Sequence, residues 1–177
     1  MKTKTHFLIA KIAAIRAGLN SAEQLVFSLG AAAPDLLPTQ FLHPHFYQSS
    51  AKYVFRRLMR LENKSTFLAL FQLGEMAHYV CDFCCAVHSN GKIGNIREHI
   101  GYELRLQKYF IDNYSKLMSA VNKHNKYQSL EKVIDEYLNG EDKGYYRDIC
   151  SAVYASIAVC RLYERATVRR RTANANI

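Results

Sequence analysis

The sequence predicts an all-α protein of five to seven helices, and three observations support this fold class. Apolar residues recur at three- and four-residue spacing along most of the chain. No segment shows the alternation of apolar and polar residues that is typical of a half-buried strand. Glycines and prolines separate the periodic segments and so mark helix ends. The length of 177 residues suits one hydrophobic core, so we expect a single domain over residues 1–177.

Two helices are predicted before a long loop. The first covers about residues 6–16, and the second begins at a cap on Ser21 and ends at Gly30. Residues 30–50 contain all three prolines of the chain and are predicted to form an ordered loop. A loop of this length in a compact protein is usually functional.

The middle of the chain predicts an amphipathic helix followed by a buried one. Residues 51–61 place apolar side chains on one face and basic side chains on the other. Residues 65–87, capped by Ser65, are apolar on several sides, so this helix is predicted to be the axis of a bundle.

A short loop at 89–95 leads to the next helix, predicted from about residue 96 to residue 117. Helices joined by so short a connection are normally antiparallel, which brings His88 and His99 near each other. Two further helices, over about residues 129–138 and 145–168, are predicted to supply packing. The predicted organisation is a metal-site region at about 5–105, packing helices at about 106–168 and a basic tail at 169–177.

Two histidine–carboxylate pairs are the main chemical signal. His78 and Asp82 are four residues apart, as are His99 and Glu103, so each pair lies on one face of a helix. His88 lies between the two pairs. One such pair is as easily explained by a surface or hydrogen-bonded core histidine, but both pairs together with His88 predict a shared metal site.

The long loop holds further candidate ligands. Asp35 follows Pro34, and His43 and His45 lie a few residues beyond. Taken alone, Asp35 also fits a turn or capping residue after proline.

Cysteine usage favours a reducing compartment. The five cysteines are an odd number without the spacing of a disulfide framework, and we expect buried free thiols. Cys81-x-x-Cys84 is also compatible with a redox pair or a zinc half-site, but no second such motif and no preceding strand support either.

Composition and charge limit the location and the partners. The sequence contains no run of eighteen apolar residues, so no transmembrane span is predicted. Lys11 and Arg16 interrupt the apolar N-terminal stretch, which makes it a poor secretory signal. We therefore expect a cytoplasmic protein. The net charge of +9 suits an anionic partner such as phospholipid headgroups, nucleic acid or a phosphorylated small molecule.

The order of these residues resembles the zinc-dependent phospholipase C family, which shares its helical fold with zinc-dependent single-strand nucleases. The matching pattern is His6, Pro34-Asp35, a loop histidine, His78-x3-Asp82, His88 and His99-x3-Glu103. The resemblance covers about residues 5–105, and its most specific part is His78-x3-Asp82-x5-His88 followed by His99-x3-Glu103.

The resemblance implies a cluster of two or three zinc ions. The implied ligands are His6, Asp35, His45, His78, Asp82, His88, His99 and Glu103. One ion would be held by His88, His99 and Glu103, and Asp82 would bridge the other two.

The two bridged ions differ in their remaining ligands. One would also be held by His78, Asp35 and a loop histidine, for which the resemblance favours His45 over His43, and the other by His6. In secreted members a processed N-terminal amino group completes the third site, whereas this sequence begins five residues before its first histidine. Asp35 is the implied catalytic residue, with metal-ligand and general-base roles both assigned to its position in the family.

The activity implied is hydrolysis of a phosphodiester by a zinc-activated hydroxide, with release of a phospholipid headgroup. Imidazole and carboxylate ligands without thiolates are typical of catalytic zinc, which acidifies bound water. A nuclease or a small-molecule phosphodiesterase with the same cluster is an alternative, less favoured for nucleic acid because the aromatic residues fit a core better than a stacking platform. A non-catalytic, metal-stabilised helical module that binds an anionic partner is another.

Overall fold

The computed structural model describes residues 1–36, 44–89, 95–123 and 129–175, and these ranges contain helices joined by short turns, without strands. This confirms the predicted all-α class. The helices within the described ranges are α1 (Thr3–Arg16), α2 (Ser21–Leu36), α3 (Tyr47–Leu61), α4 (Phe67–Phe83), α5 (Ala86–Ser89), α6 (Ile96–Asp112), α7 (Tyr114–Lys123), α8 (Leu130–Asn139) and α9 (Tyr145–Ala175).

Helix α4 is the buried axis of the bundle, as predicted, and packs against α1, α2, α3 and α9. Its N-cap is Thr66, whose hydroxyl accepts a hydrogen bond from the Ala69 amide at 3.1 Å, so the predicted cap at Ser65 was wrong by one residue. The helix ends at Phe83 instead of near residue 87, because Cys84 leaves the helical conformation. The chain then turns into the short helix α5, which adds to the predicted number of helices.

Helix α2 continues through residues that were predicted to form a loop. A Cβ atom on Gly30 would lie 2.1 Å from the Phe71 carbonyl oxygen, and one on Gly74 would lie 2.2 Å from the Phe27 carbonyl oxygen. Gly30 therefore permits α2 and α4 to touch and does not end the helix. Pro34 lies inside α2 and cannot donate a hydrogen bond to the Gly30 carbonyl, yet the residues on both sides of it are helical.

Several helix boundaries also differ from the prediction. Helix α1 begins at Thr3 and α3 at Tyr47, each a few residues earlier than expected. The predicted helix over 96–117 is divided at Asn113 into α6 and α7. Residues 169–175, predicted as part of a basic tail, continue helix α9.

The core lies between α4, α9 and the helices packed around them. All five cysteines are buried and carry free thiols, as predicted. The largest fully buried side chains include Phe27, Leu70, Leu73, Phe83, Phe110 and Tyr137. Among the described residues, no helix combines the length and apolar character needed to cross a bilayer.

Candidate metal centre

The polar cluster lies where α1 begins and where α2 and α4 end, and it also includes the segment before α3 and residues of α5 and α6. All eight predicted ligand residues lie in it, linked by contacts of 3.7 Å or less. They are His6, Asp35, His45, His78, Asp82, His88, His99 and Glu103. His43, the alternative loop ligand, lies outside the described residues.

Asp82 is the centre of the cluster, and its side chain is fully buried. Its Oδ1 lies 3.3 Å from His6 Nε2 and 3.7 Å from His88 Nε2. Its Oδ2 lies 2.9 Å from His45 Nδ1 and 3.5 Å from His78 Nε2. Each carboxylate oxygen therefore faces its own pair of imidazoles, an arrangement in which one carboxylate can contact two cations.

Three sets of side chains have ligand atoms within 4.8 Å of one another. The sets are His6 with His78 and Asp82; Asp35 with His45 and His78; and His88 with His99 and Glu103. The third set is the one that the resemblance implied for a single ion. His78 belongs to both of the other sets, and Asp82 contacts members of all three.

A backbone contact between α2 and α4 orients His78. Its Nδ1 donates a hydrogen bond to the Ala31 carbonyl oxygen at 2.9 Å, which leaves Nε2 directed at Asp35 and Asp82. Burial and the adjacent His6 ring hold the pKa of His78 well below its usual range. The ring is therefore neutral, with a lone pair on Nε2.

Several buried atoms of the cluster have no hydrogen-bond partner within the described part of the chain. They are both ring nitrogens of His6, Nε2 of His45 and Nδ1 of His88. Buried polar groups are nearly always paired, and an unpaired one costs about 1–3 kcal/mol. Unpaired imidazole nitrogens beside a carboxylate oxygen fit a divalent cation, and the absence of thiolates fits catalytic zinc.

Met1 contributes a group that the sequence analysis did not place in the site. Its amino group forms a short ion pair with Asp82 and lies 3.1 Å from Glu103 Oε1 and 3.3 Å from His88 Nε2. Burial disfavours its charge, but nearby groups, of which Asp82 has the largest effect, outweigh burial and raise the pKa of this group to about 12. The early start of α1 brings Met1 here, and only the family's use of an amino group as a ligand pointed to it.

Asp35 lies at the edge of the cluster, in an open cleft of about 670 Å³. Its Oδ2 accepts a hydrogen bond from the Thr3 hydroxyl at 2.9 Å, and its Oδ1 lies 3.7 Å from His78 Nε2. The Asp35 side chain is 17% exposed, whereas Asp82 is fully enclosed. Asp35 is therefore the carboxylate of the pair that a bound substrate can reach.

A buried carboxylate on α9, Asp148, supports the cluster from the side of the packing helices. Its Oδ2 accepts hydrogen bonds from the Tyr102 hydroxyl at 2.8 Å and the Ala86 amide at 3.0 Å, and its Oδ1 accepts one from the Tyr137 hydroxyl at 2.7 Å. Ala86 begins the helix that carries His88, and Tyr102 precedes Glu103. Asp148 thus links α8 and α9 to two elements that carry candidate ligands, which nothing in its local sequence indicated.

We expect Asp148→Asn to weaken zinc binding and to lower the free energy of unfolding by about 1–3 kcal/mol. The amide has one acceptor oxygen in place of two, so at least one of the three donors loses its partner. Zinc competition with a chelating dye and urea denaturation measure the two effects. Asp135→Asn makes the same change at an exposed position of α8 and should alter neither. Unchanged zinc affinity in Asp148→Asn would limit Asp148 to a role in stability.

Together, the helical bundle and this cluster define an all-α protein with a buried histidine–carboxylate centre open to a cleft. Residues 5–152 match the profile of the family described as zinc dependent phospholipase C, so the chain belongs to that family. No curated protein and no solved structure matches the chain. The family name implies zinc and phospholipase C-like hydrolysis, in agreement with the resemblance seen in the sequence.

Proposed function

We propose that the protein is a zinc-dependent phosphodiesterase of the phospholipase C type, which releases a phosphorylated headgroup from a phospholipid. The observation that carries the proposal is Asp82, a buried carboxylate whose two oxygens face different imidazole pairs beside an open cleft. Enclosing imidazole nitrogens of His6, His45 and His88 without hydrogen-bond partners is unfavourable unless cations occupy the cluster.

The proposed zinc ligands follow the three sets of side chains. His88, His99 and Glu103 would hold one ion, and Asp82 would be shared by the other two. The remaining proposed ligands are His6, Asp35, His45 and His78. The Met1 amino nitrogen is a further donor within reach of the same groups, and it would lose its proton on binding metal.

Zinc bound at this cluster would neutralise the phosphate oxygens and lower the pKa of a bound water towards neutrality. The chain's own residues shape the rest of the site. Asp35, whose Oδ2 accepts a hydrogen bond from the Thr3 hydroxyl at the cleft edge, would accept a proton from the nucleophilic water. Lys2 lies 3.8 Å from Glu103 Oε2 at the cleft and adds a positive charge for an anionic substrate.

Zinc content and hydrolysis, measured on protein purified without a histidine tag, test the proposal. We expect two or three zinc ions per chain by elemental analysis, and hydrolysis of a chromogenic phosphocholine diester that a chelator abolishes and added zinc restores. Cleavage of single-stranded nucleic acid but not of the diester would favour the nuclease alternative. Zinc binding that stabilises the fold without hydrolysis of either substrate would favour the non-catalytic module.

A further inference from the structure

Helix α6 presents an apolar stripe to the exterior of the protein. Ile96, Ile100 and Leu104 are 65%, 42% and 51% exposed, and their four-residue spacing places them on one face of the helix. Ile111, which is 49% exposed, falls on the same face two turns further on. Single exposed apolar residues are common, but four on one face of one helix indicate an interaction surface.

The stripe begins at the candidate metal centre. Ile100 and Leu104 each follow a candidate ligand, His99 or Glu103, in the sequence. Ile96 lines the same cleft as those ligands. On α2, Leu36 follows the cleft residue Asp35 and is 72% exposed. Ile96 thus lines the cleft itself, and Leu36, Ile100 and Leu104 are each one residue along the chain from a side chain that lines it.

Basic side chains are exposed on the same helix. They are Arg97 and Arg105. Lys108 is also exposed, but Asp112 pairs with it at 2.8 Å, and Glu98 is an opposing charge on the same helix. The exposed charged side chains of α6 are basic on balance, in a chain whose net charge is +9.

We propose that the α6 stripe, formed by Ile96, Ile100, Leu104 and Ile111, docks on an anionic phospholipid bilayer and presents the cleft to the headgroups. The proposal rests on the proposed function, since a headgroup diester lies at the bilayer surface and the cleft must face it. A helix with an apolar face and flanking arginines binds such a surface by burying the apolar face at the headgroup boundary. The basic side chains add attraction to anionic lipid, which salt screens.

Cosedimentation with sucrose-loaded vesicles tests the docking surface. We expect the zinc-loaded protein to bind phosphatidylcholine vesicles that contain phosphatidylserine more tightly than pure phosphatidylcholine, with binding that weakens as salt rises. The double variant Ile100→Ser/Leu104→Ser should bind at least about tenfold more weakly, because two side chains that enter the interface are lost.

Leu68→Ser is the matched control. Leu68 is 67% exposed near the start of α4, about 20 Å along that helix from Asp82. The vesicle affinity of the Leu68→Ser variant should lie within about twofold of that of the unsubstituted protein. Circular dichroism and zinc content show whether each variant is folded. We expect both variants to fold, because the substituted side chains are exposed.

Wild-type vesicle affinity in the double variant would overturn the proposal, as would equal binding to neutral and anionic vesicles. If the unsubstituted protein is a dimer and the double variant is a monomer, the stripe joins two copies of the chain, and that result would also overturn the proposal. Failure of the proposed function is a separate result, because it appears as absent hydrolysis of the soluble diester whether or not vesicles bind.

Discussion

Asp82→Asn is expected to lower the rate of phosphodiester hydrolysis by more than about a hundredfold. Loss of a residue that only hydrogen-bonds to a metal ligand lowers activity by up to about a hundredfold, and Asp82 is proposed to be a ligand itself. The amide keeps the shape of the side chain but removes its negative charge and one of the two oxygens that face the imidazoles. Zinc content should fall in parallel, because two of the proposed ions share this carboxylate. Elemental analysis and the chromogenic diester assay measure both effects.

The same variant should also destabilise the protein when zinc is removed by a chelator. In the structure Asp82 pairs with the buried amino group of Met1, and its pKa lies well below the usual range because His88, Met1 and His6 together outweigh burial. Removing one partner of a buried ion pair costs about 3–5 kcal/mol. Urea denaturation in chelator measures this loss.

Asp135→Asn serves as the control for Asp82→Asn, because it makes the same chemical change on the exposed surface of α8. It should leave zinc content, hydrolysis and stability unchanged. An Asp82→Asn protein with full zinc content and full activity would show that the bridging role is assigned to the wrong residue.

Gly74→Ala is expected to lower the free energy of unfolding by about 1–3 kcal/mol, the range for overpacking a core. In an exposed helix the same change stabilises by about 1 kcal/mol. Here the new Cβ would lie 2.2 Å from the Phe27 carbonyl oxygen and 2.9 Å from Gly30 Cα, which are backbone atoms that move only if α2 and α4 separate. Urea denaturation measures the change.

The separation of α2 and α4 in the Gly74→Ala variant should also weaken zinc binding. The Ala31 carbonyl on α2 accepts the hydrogen bond that orients His78 on α4, so parting the two helices frees the imidazole to turn. Gly101→Ala is the matched control, because the nearest atom to its new Cβ is on the flexible Arg105 side chain at 3.1 Å. Equal stability changes in the two variants would contradict the role given to the contact between α2 and α4.

Local sequence determined the helical class and the two histidine–carboxylate pairs. The four-residue spacing of His78 with Asp82 and of His99 with Glu103 puts each pair on one face of any helix that includes it. In the structure the paired atoms lie 3.5 Å and 3.3 Å apart. The predicted proximity of His88 and His99 is also confirmed, with ring centroids 4.7 Å apart.

Structural features that depend on contacts between segments distant in the sequence could not be predicted from the sequence. Gly30 and Pro34 resemble a helix end locally, yet the contact of Gly30 with α4 keeps α2 helical, because packing overrides local preference. Asp148 and Met1 reach the cluster from opposite ends of the described chain. Spacing within a helix follows from the geometry of the helix itself, whereas the choice of helices that touch depends on the packing of the whole chain, and only the tertiary structure decides it.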